Sequence, residues 1–273
     1  MLEVKEISVV RGGRKLVDGV SLVGRPGDFI VILGPNGAGK STFLKAVTGE
    51  YPLSGGSVKF GNRVASDWSG EEIAKVRAVL PQELRLNFPF RVLEVVLLGR
   101  MPHSRNGETA ADYRIAMEAL ESVGMSAMAT RNYLTLSGGE KQRVQLARIL
   151  AQLRGEDDGR CRYLFLDEPV SALDPAHQHL VLRLAAEEAK AGAVVVSVLH
   201  DVNLAAHYAS HWLVLKEGKK VISGEVGEVL SVPLIEETFG VRAEILRDRS
   251  GGGMVVATSG LPPTGAFAVS SQR

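Results

Sequence analysis

The sequence predicts an α/β fold on a mostly parallel sheet. An antiparallel β portion opens the chain, and an α-helical subdomain is inserted near residues 89–157. Three observations carry that reading. Apolar runs at 29–33, 163–166 and 194–199, the last broken only by Ser197, have strand length and the texture of strands buried on both faces. Helical patterns follow the first two runs, at 43–47 and 175–191, and strand–helix alternation of this kind builds parallel sheets. From about 89 to 153 the texture is helical, without a strong strand signal.

Taken in order, Leu2, Val4 and Ile7 alternate roughly with charges, and 16–23 forms a second strand after a Gly12-Gly13 turn. Pro26-Gly27-Asp28 turns the chain into the run 29–33. That run enters Gly34-Pro35-Asn36-Gly37-Ala38-Gly39-Lys40-Ser41-Thr42, and a helix follows. Residues 77–80 are strand-like. Helices are expected at 92–98, 108–123 and 138–153, and a polar surface loop at 154–160. A strand over 160–166, a helix over 175–191 and a strand over 193–199 complete the core. One domain is expected over 1–247. Residues 248–273 are rich in Gly, Pro and Ser, and are expected to hold an edge strand at 254–257 and a loosely ordered tail.

Composition excludes several classes. With 45% hydrophobic and 23% charged residues, 273 residues have an ordinary globular make-up, which excludes wholesale disorder. A net charge of +1 and 5% aromatics argue against a nucleic-acid partner. Cys161 is the sole cysteine, so no intrachain disulfide forms. No signal peptide and no apolar run of membrane-spanning length is expected.

The loop Gly34 to Ser41 has the spacing of a phosphate-binding loop. Its glycines let backbone N–H groups converge on phosphate oxygens, and the next helix turns its positive end to the same anion. Lys40 then supplies charge to the β- and γ-phosphates, and the Ser41 hydroxyl ligates Mg²⁺. Asp167 and Glu168 close an apolar strand, where ligands gather in a parallel sheet. Asp167 is placed to hold the metal, and Glu168 to act as general base on the attacking water. His200 follows another apolar strand and can contact the γ-phosphate. Gln82 follows 77–80, and its amide can coordinate Mg²⁺ or hold water. Ser137, before Gly138 and Gly139, starts a helix and offers a second phosphate cradle.

With Leu136-Ser137-Gly138-Gly139-Glu140, Ser171-Ala172-Leu173-Asp174 and the motifs above in one order, the chain resembles the ATP-binding subunit of ABC transporters over about 1–245. The resemblance implies a P-loop NTPase core of the ABC ATPase type, with ATP and Mg²⁺ as cofactors. It also implies a head-to-tail homodimer, in which the Ser137 end of one copy covers the γ-phosphate held by Lys40 of the other. Asp174 would lie at that interface, and Gln82 would couple nucleotide state to a separate permease dimer. One departure stands out: the stretch Val9-Val10-Arg11-Gly12-Gly13 has no aromatic to stack on adenine. Either Arg11 lies flat on the base or Val10 packs against it, and GTP stays open.

Residues 81–100 resemble importers of iron or cobalt chelates. The stretch 171–179 and the long loop before Tyr163 resemble haem importers most. The implied setting is the cytoplasmic face of a bacterial inner membrane, peripherally bound and served by an external substrate-binding protein. Siderophore or cobalamin cargo, an exporter, and a cassette protein acting on ribosomes or DNA are the alternatives. His177 and His179, two apart on a helix, point about 200° apart and cannot share a metal. Direct haem ligation by them is not expected, and His103, His207 and His211 read as ordinary surface or packing residues.

Overall fold

A computed structural model describes residues 1–82, 86–104, 107–155, 159–171, 173–247 and 254–260. The N-terminal part is an antiparallel sheet. Strands β1 (Leu2–Arg11) and β2 (Arg14–Gly24) form a hairpin closed by Gly12-Gly13, and β1 pairs with β4 (Gly55–Phe60) on its other edge. A short β5 (Arg63–Val64) completes the order β2-β1-β4-β5.

The central sheet has the order β10-β9-β3-β8-β7-β6. Its members are β3 (Phe29–Leu33), β6 (Arg77–Leu80), β7 (Tyr163–Asp167), β8 (Val194–Val198), β9 (His211–Lys216) and β10 (Lys219–Glu225). All neighbours pair in parallel except β9 and β10. Every residue of β3, β7 and β8 is buried, so successive side chains enter two different cores. Ile30, Ile32, Phe165 and Val196 face the N-terminal sheet and α1 (Lys40–Val47). Val31, Leu33, Leu164 and Val195 face the helical side.

After α2 (Gly70–Val76) and β6 come the helices that sequence periodicity marks: α3 (Val92–Leu97), α4 (Ala110–Ser122) and α5 (Gly138–Leu153). A 3₁₀ segment, Leu98–His103, extends α3 up to Pro102 and the buried Arg100. Helix α6 (Pro175–Lys190) follows β7, and α7 (Val202–Tyr208) follows β8. The chain continues through α8 (Val226–Val229) and α9 (Val232–Phe239) to β11 (Val241–Arg247).

Some strand limits differ from expectation. The strand expected over 160–166 starts at Tyr163, where parallel pairing with Ala193's successor Val194 and with Arg77 begins. The strand expected at 254–257 is β12 (Met254–Gly260). It is the second arm of a hairpin with β11, which pairs with it along its whole length. Residues 248–253 and the tail from 261 lie outside the described residues.

Candidate active site

Because β3, β6, β7 and β8 run in parallel as neighbours, their carboxyl ends share one rim of the sheet. Lys40 and Ser41 follow β3, Asp167 closes β7 with Glu168 next, and His200 lies two residues past β8. A cleft of about 460 Å³ opens there. It is lined by Asn36, Gly37, Gly39, Lys40, Ser41 and Thr42, by Glu168 and His200, and on its far wall by Arg14, Lys15, Leu16, Glu217 and Gly218.

The loop's conformation is dictated by contacts only glycine permits. At Gly34 (φ +147°) a Cβ would stand 2.1 Å from the Leu215 carbonyl oxygen. At Gly39 (φ +93°) one would stand 2.6 Å from that of Leu16. The loop therefore lies directly against β2 and the β9–β10 turn, which the Gly218 N–H also ties to the Ala38 carbonyl at 3.0 Å.

Lys40 is only 5% exposed, and its Nζ donates to the carbonyls of Gly34 (2.8 Å) and Pro35 (2.9 Å). Burial lowers the pKa of its ammonium, and the charges of Glu168 and Asp167 work the other way. Gly34 and Pro35 thus serve as acceptors behind the cleft, and Ala38 is buried in the core. The Ser41 hydroxyl donates to Asp167 Oδ1 at 2.8 Å. Asp167 is 2% exposed, and its Oδ2 has no hydrogen-bond partner among the described residues. Burial raises its pKa, with the Ser41 bond opposing. A buried carboxylate oxygen left unpaired beside a hydroxyl is an oxygen-donor set that fits Mg²⁺.

Glu168 stands one residue past β7 in the left-handed region (φ +51°), an uncommon conformation for a non-glycine residue that clusters at functional sites. Both its oxygens are engaged: Gln82 Nε2 donates to Oε2 at 2.9 Å, and His200 Nε2 lies 2.7 Å from Oε1. Gln82, Glu168 and His200, distant in sequence, therefore form one cluster. In this arrangement Gln82 contacts the carboxylate of Glu168.

Arg11 is not among the residues that line the cleft. Its guanidinium lies over the Tyr51 ring, 4.3 Å from the centroid, and Lys45 shares the same ring. The basic and apolar groups that β2 does bring to the cleft are Arg14, Lys15 and Leu16. Sequence reasoning missed these three, as well as Glu217 and Gly218. The only signal was the two-residue hairpin turn, which sets the register that turns Arg14 back toward the loop.

The second cradle is separate. Ser137, Gly139, Glu140, Arg143, Leu173, Asp174 and His177 line a pocket of about 260 Å³. Ser137 caps α5 in a reciprocal box with Glu140: Ser137 N–H donates to Glu140 Oε2 at 2.8 Å, and Glu140 N–H to Ser137 Oγ at 3.4 Å. The Ser137 N–H and the Ser137 hydroxyl, both donating to Oε2 at 2.8 Å, hold the Glu140 carboxyl below its ordinary pKa. Glu140 thus shapes the helix start, and Gly138 leaves open space beside it. Asp174 caps α6, accepting the His177 N–H at 3.0 Å, with His177 Nδ1 at 2.8 Å from both carboxylate oxygens. His177 keeps the Asp174 carboxyl below its usual pKa. Here His177 lines the same pocket as Ser137 and Asp174, which its spacing three residues after a helix-capping aspartate was the signal to find.

A family model described as "ABC transporter" matches residues 17–171. The hemin import ATP-binding protein HmuV of Gloeobacter violaceus is 49% identical over 90% of both chains. That of Myxococcus xanthus is 47% identical over 96% of this chain and 98% of its own. Among solved structures, a transporter described as of metal-chelate type, in an inward-facing conformation, superposes with a TM-score of 0.77 at 26% identity. It covers 94% of this chain and 96% of its own. A dimeric ATP-binding cassette bound to ADP and Pi superposes with a TM-score of 0.71 at 26% identity, covering 83% and 99%.

Proposed function

Because the chain belongs to the ABC transporter family, we propose that it is the ATP-hydrolysing subunit of an importer, working as a homodimer against a separate permease, with hemin as cargo. The observation that carries the enzymatic part is the cleft at the sheet rim, where Lys40, the Ser41–Asp167 pair and the Gln82–Glu168–His200 cluster meet. Lys40 exchanges its two loop carbonyls for phosphate oxygens, and the backbone N–H groups of 36–42 surround the same phosphates. Glu168, held at both oxygens, orients the attacking water and accepts its proton. His200 fixes Glu168 and contacts the γ-phosphate, and Gln82 reports the occupancy of the site to the permease side. Ser41, Asp167 and Gln82 would hold Mg²⁺, which would supply neutralisation of the charge on the phosphates. Arg14 and Leu16 take the base-side role first assigned to Arg11.

The second pocket completes the site of the other copy, with Ser137, Gly138 and Gly139 cradling its γ-phosphate and Asp174 at the junction. Support for a dimer comes from the cassette relative solved as one, and support for hemin from the names of the curated relatives. Among the described residues, no helix is long and apolar enough to cross a membrane. The subunit acts peripherally, on the cytoplasmic face of the inner membrane, and an external binding protein delivers cargo.

The test is ATPase activity of the chain co-isolated with its permease in lipid, with the binding protein empty or loaded. Stimulation by the hemin-loaded form alone supports the cargo. Stimulation by siderophore- or cobalamin-loaded forms instead overturns hemin and leaves the importer reading standing.

A further inference from the structure

The C-terminal hairpin of β11 and β12 grips the helix that follows His200. Among the described residues, β12 pairs with β11 alone and has no strand partner on its outer edge. The Asn203 side chain of α7 meets that edge. Its Oδ1 accepts the Val256 N–H at 2.7 Å, and its Nδ2 donates to the Val256 carbonyl at 3.2 Å. The amide thus mimics a neighbouring strand, satisfying both backbone groups of a residue only 4% exposed.

Geometry gives this bond a route to the reaction. His200 lies in a short bridge between β8 and α7, whose cap is the next residue: Asp201 Oδ1 accepts the N–H groups of Asn203 (2.7 Å) and Leu204 (3.0 Å). The helix is seven residues long and buries only Leu204 and Ala205. A helix this short has no stability of its own, so tertiary contacts set its orientation. The hairpin is a fixed anchor, since Val256 packs in the main core and Glu236 Oε1 accepts the Ala243 N–H at 3.0 Å. Tilting α7 moves its capped start, and with it the imidazole 2.7 Å from Glu168.

We propose that Asn203 is a positioning residue for ATP hydrolysis: its paired bonds to Val256 lock α7 to the C-terminal hairpin and so hold His200 on Glu168. This rests on the reading of His200 given above. It assigns the hairpin a part in catalysis although it lies outside the cleft.

A double-mutant cycle on the full-length chain tests it. Steady-state kcat and KM for Mg-ATP are measured for wild type, Asn203→Ala, His200→Ala and the double variant, with melting temperatures as a control. Asn203→Ala is expected to lower kcat about ten-fold with KM within about two-fold, the scale of couplings carried through a packed element. The double variant is expected to match His200→Ala within about two-fold, because the bond acts only through that imidazole. An Asn203→Ala enzyme at wild-type kcat, or losses that multiply in the double variant, overturns the inference while leaving the site reading intact. His200→Ala at wild-type kcat overturns the site reading itself. Should Asn203→Ala fail to fold, Asn203→Asp reads the same cycle: it keeps the acceptor for the Val256 N–H and sets an oxygen against the Val256 carbonyl.

Discussion

Replacing Glu168 by Gln separates chemistry from binding. The side chain is 15% exposed, and its two oxygens accept from Gln82 at 2.9 Å and contact His200 at 2.7 Å. Gln is isosteric and tolerates the same φ of +51° no worse than Glu, so the backbone has no reason to move. What changes is that one oxygen becomes a donor. One of the two contacts weakens, at about 1 kcal/mol of stability, a shift of a few degrees in Tm. The catalytic loss is larger. A positioned general base contributes about 10²- to 10⁴-fold, or about 2.7 to 5.4 kcal/mol of barrier. Single-turnover phosphate release should therefore fall at least about 100-fold, while ATP affinity stays at the wild-type value. Size exclusion in Mg-ATP should show an accumulated dimer. Phosphate release within about ten-fold of wild type would refute the base assignment, since no loss that small fits removal of the group that takes the proton.

Three further outcomes follow from the same geometry. Lys40→Ala should weaken ATP binding on the order of 100-fold by titration calorimetry, since charge-assisted bonds to phosphate are lost; unchanged affinity would remove Lys40 from the site. Asp167→Asn removes a buried carboxylate whose pKa is raised by burial. Between the ordinary value of 3.8 and that raised value, the folded chain holds a proton the unfolded chain has released, so nucleotide-free stability falls as pH rises through that window. The variant should melt no lower than wild type without nucleotide at neutral pH, yet lose the stabilisation Mg-ATP gives; a lower nucleotide-free Tm would contradict the reading of an unpaired charge. Arg100→Met strands Asp112, which accepts from Arg100 Nε at 2.8 Å with both residues 4% exposed. Burial opposes that carboxylate's charge, but Arg100 and Thr109 overcome it and hold its pKa far below 3.8. The pair's stabilisation is therefore complete above the ordinary carboxylate pKa and lost as pH falls toward the folded one. Denaturant melts at neutral pH should show a loss of about 3–5 kcal/mol, and a loss under about 1 kcal/mol would mean the pair is not load-sharing in the fold.

Legibility in the sequence followed the physics of each element. Helix α5 is marked at its start by the Ser137–Glu140 box and along its length by buried positions such as Val144, Ala147 and Leu150, so its limits were readable to the residue. Strand β3 announces itself because both faces are buried. Strand β10, Lys219–Glu225, is an exposed edge with no alternation to detect, and β4 opens on two glycines and forms because β1 offers it a partner. Among site residues, those at strand ends were visible from local pattern. Arg11 was not, because the ring it covers is Tyr51, forty positions away, and nothing local signals that pairing.

The short stretch from Glu168 to Asp174 belongs to both candidate sites at once. Glu168 lines the ATP cleft, and Leu173 and Asp174 line the second pocket. Between them, Gln142 of α5 donates to the Pro169 carbonyl, Gln178 of α6 donates to that of Val170 at 3.3 Å, and the Ser171 N–H donates to the Glu168 carbonyl at 3.4 Å. The two helices that start at the second cradle are thus fastened to the residues just after the proposed base. On the proposed dimer, a γ-phosphate bound at the cradle by a partner copy would contact the start of a helix fastened to the segment that carries Glu168 in this copy. The caps at Ser137 and Asp174 are thus tied, through the hydrogen bonds that α5 and α6 make to Pro169 and Val170, to the residues that directly follow Glu168 and its left-handed φ.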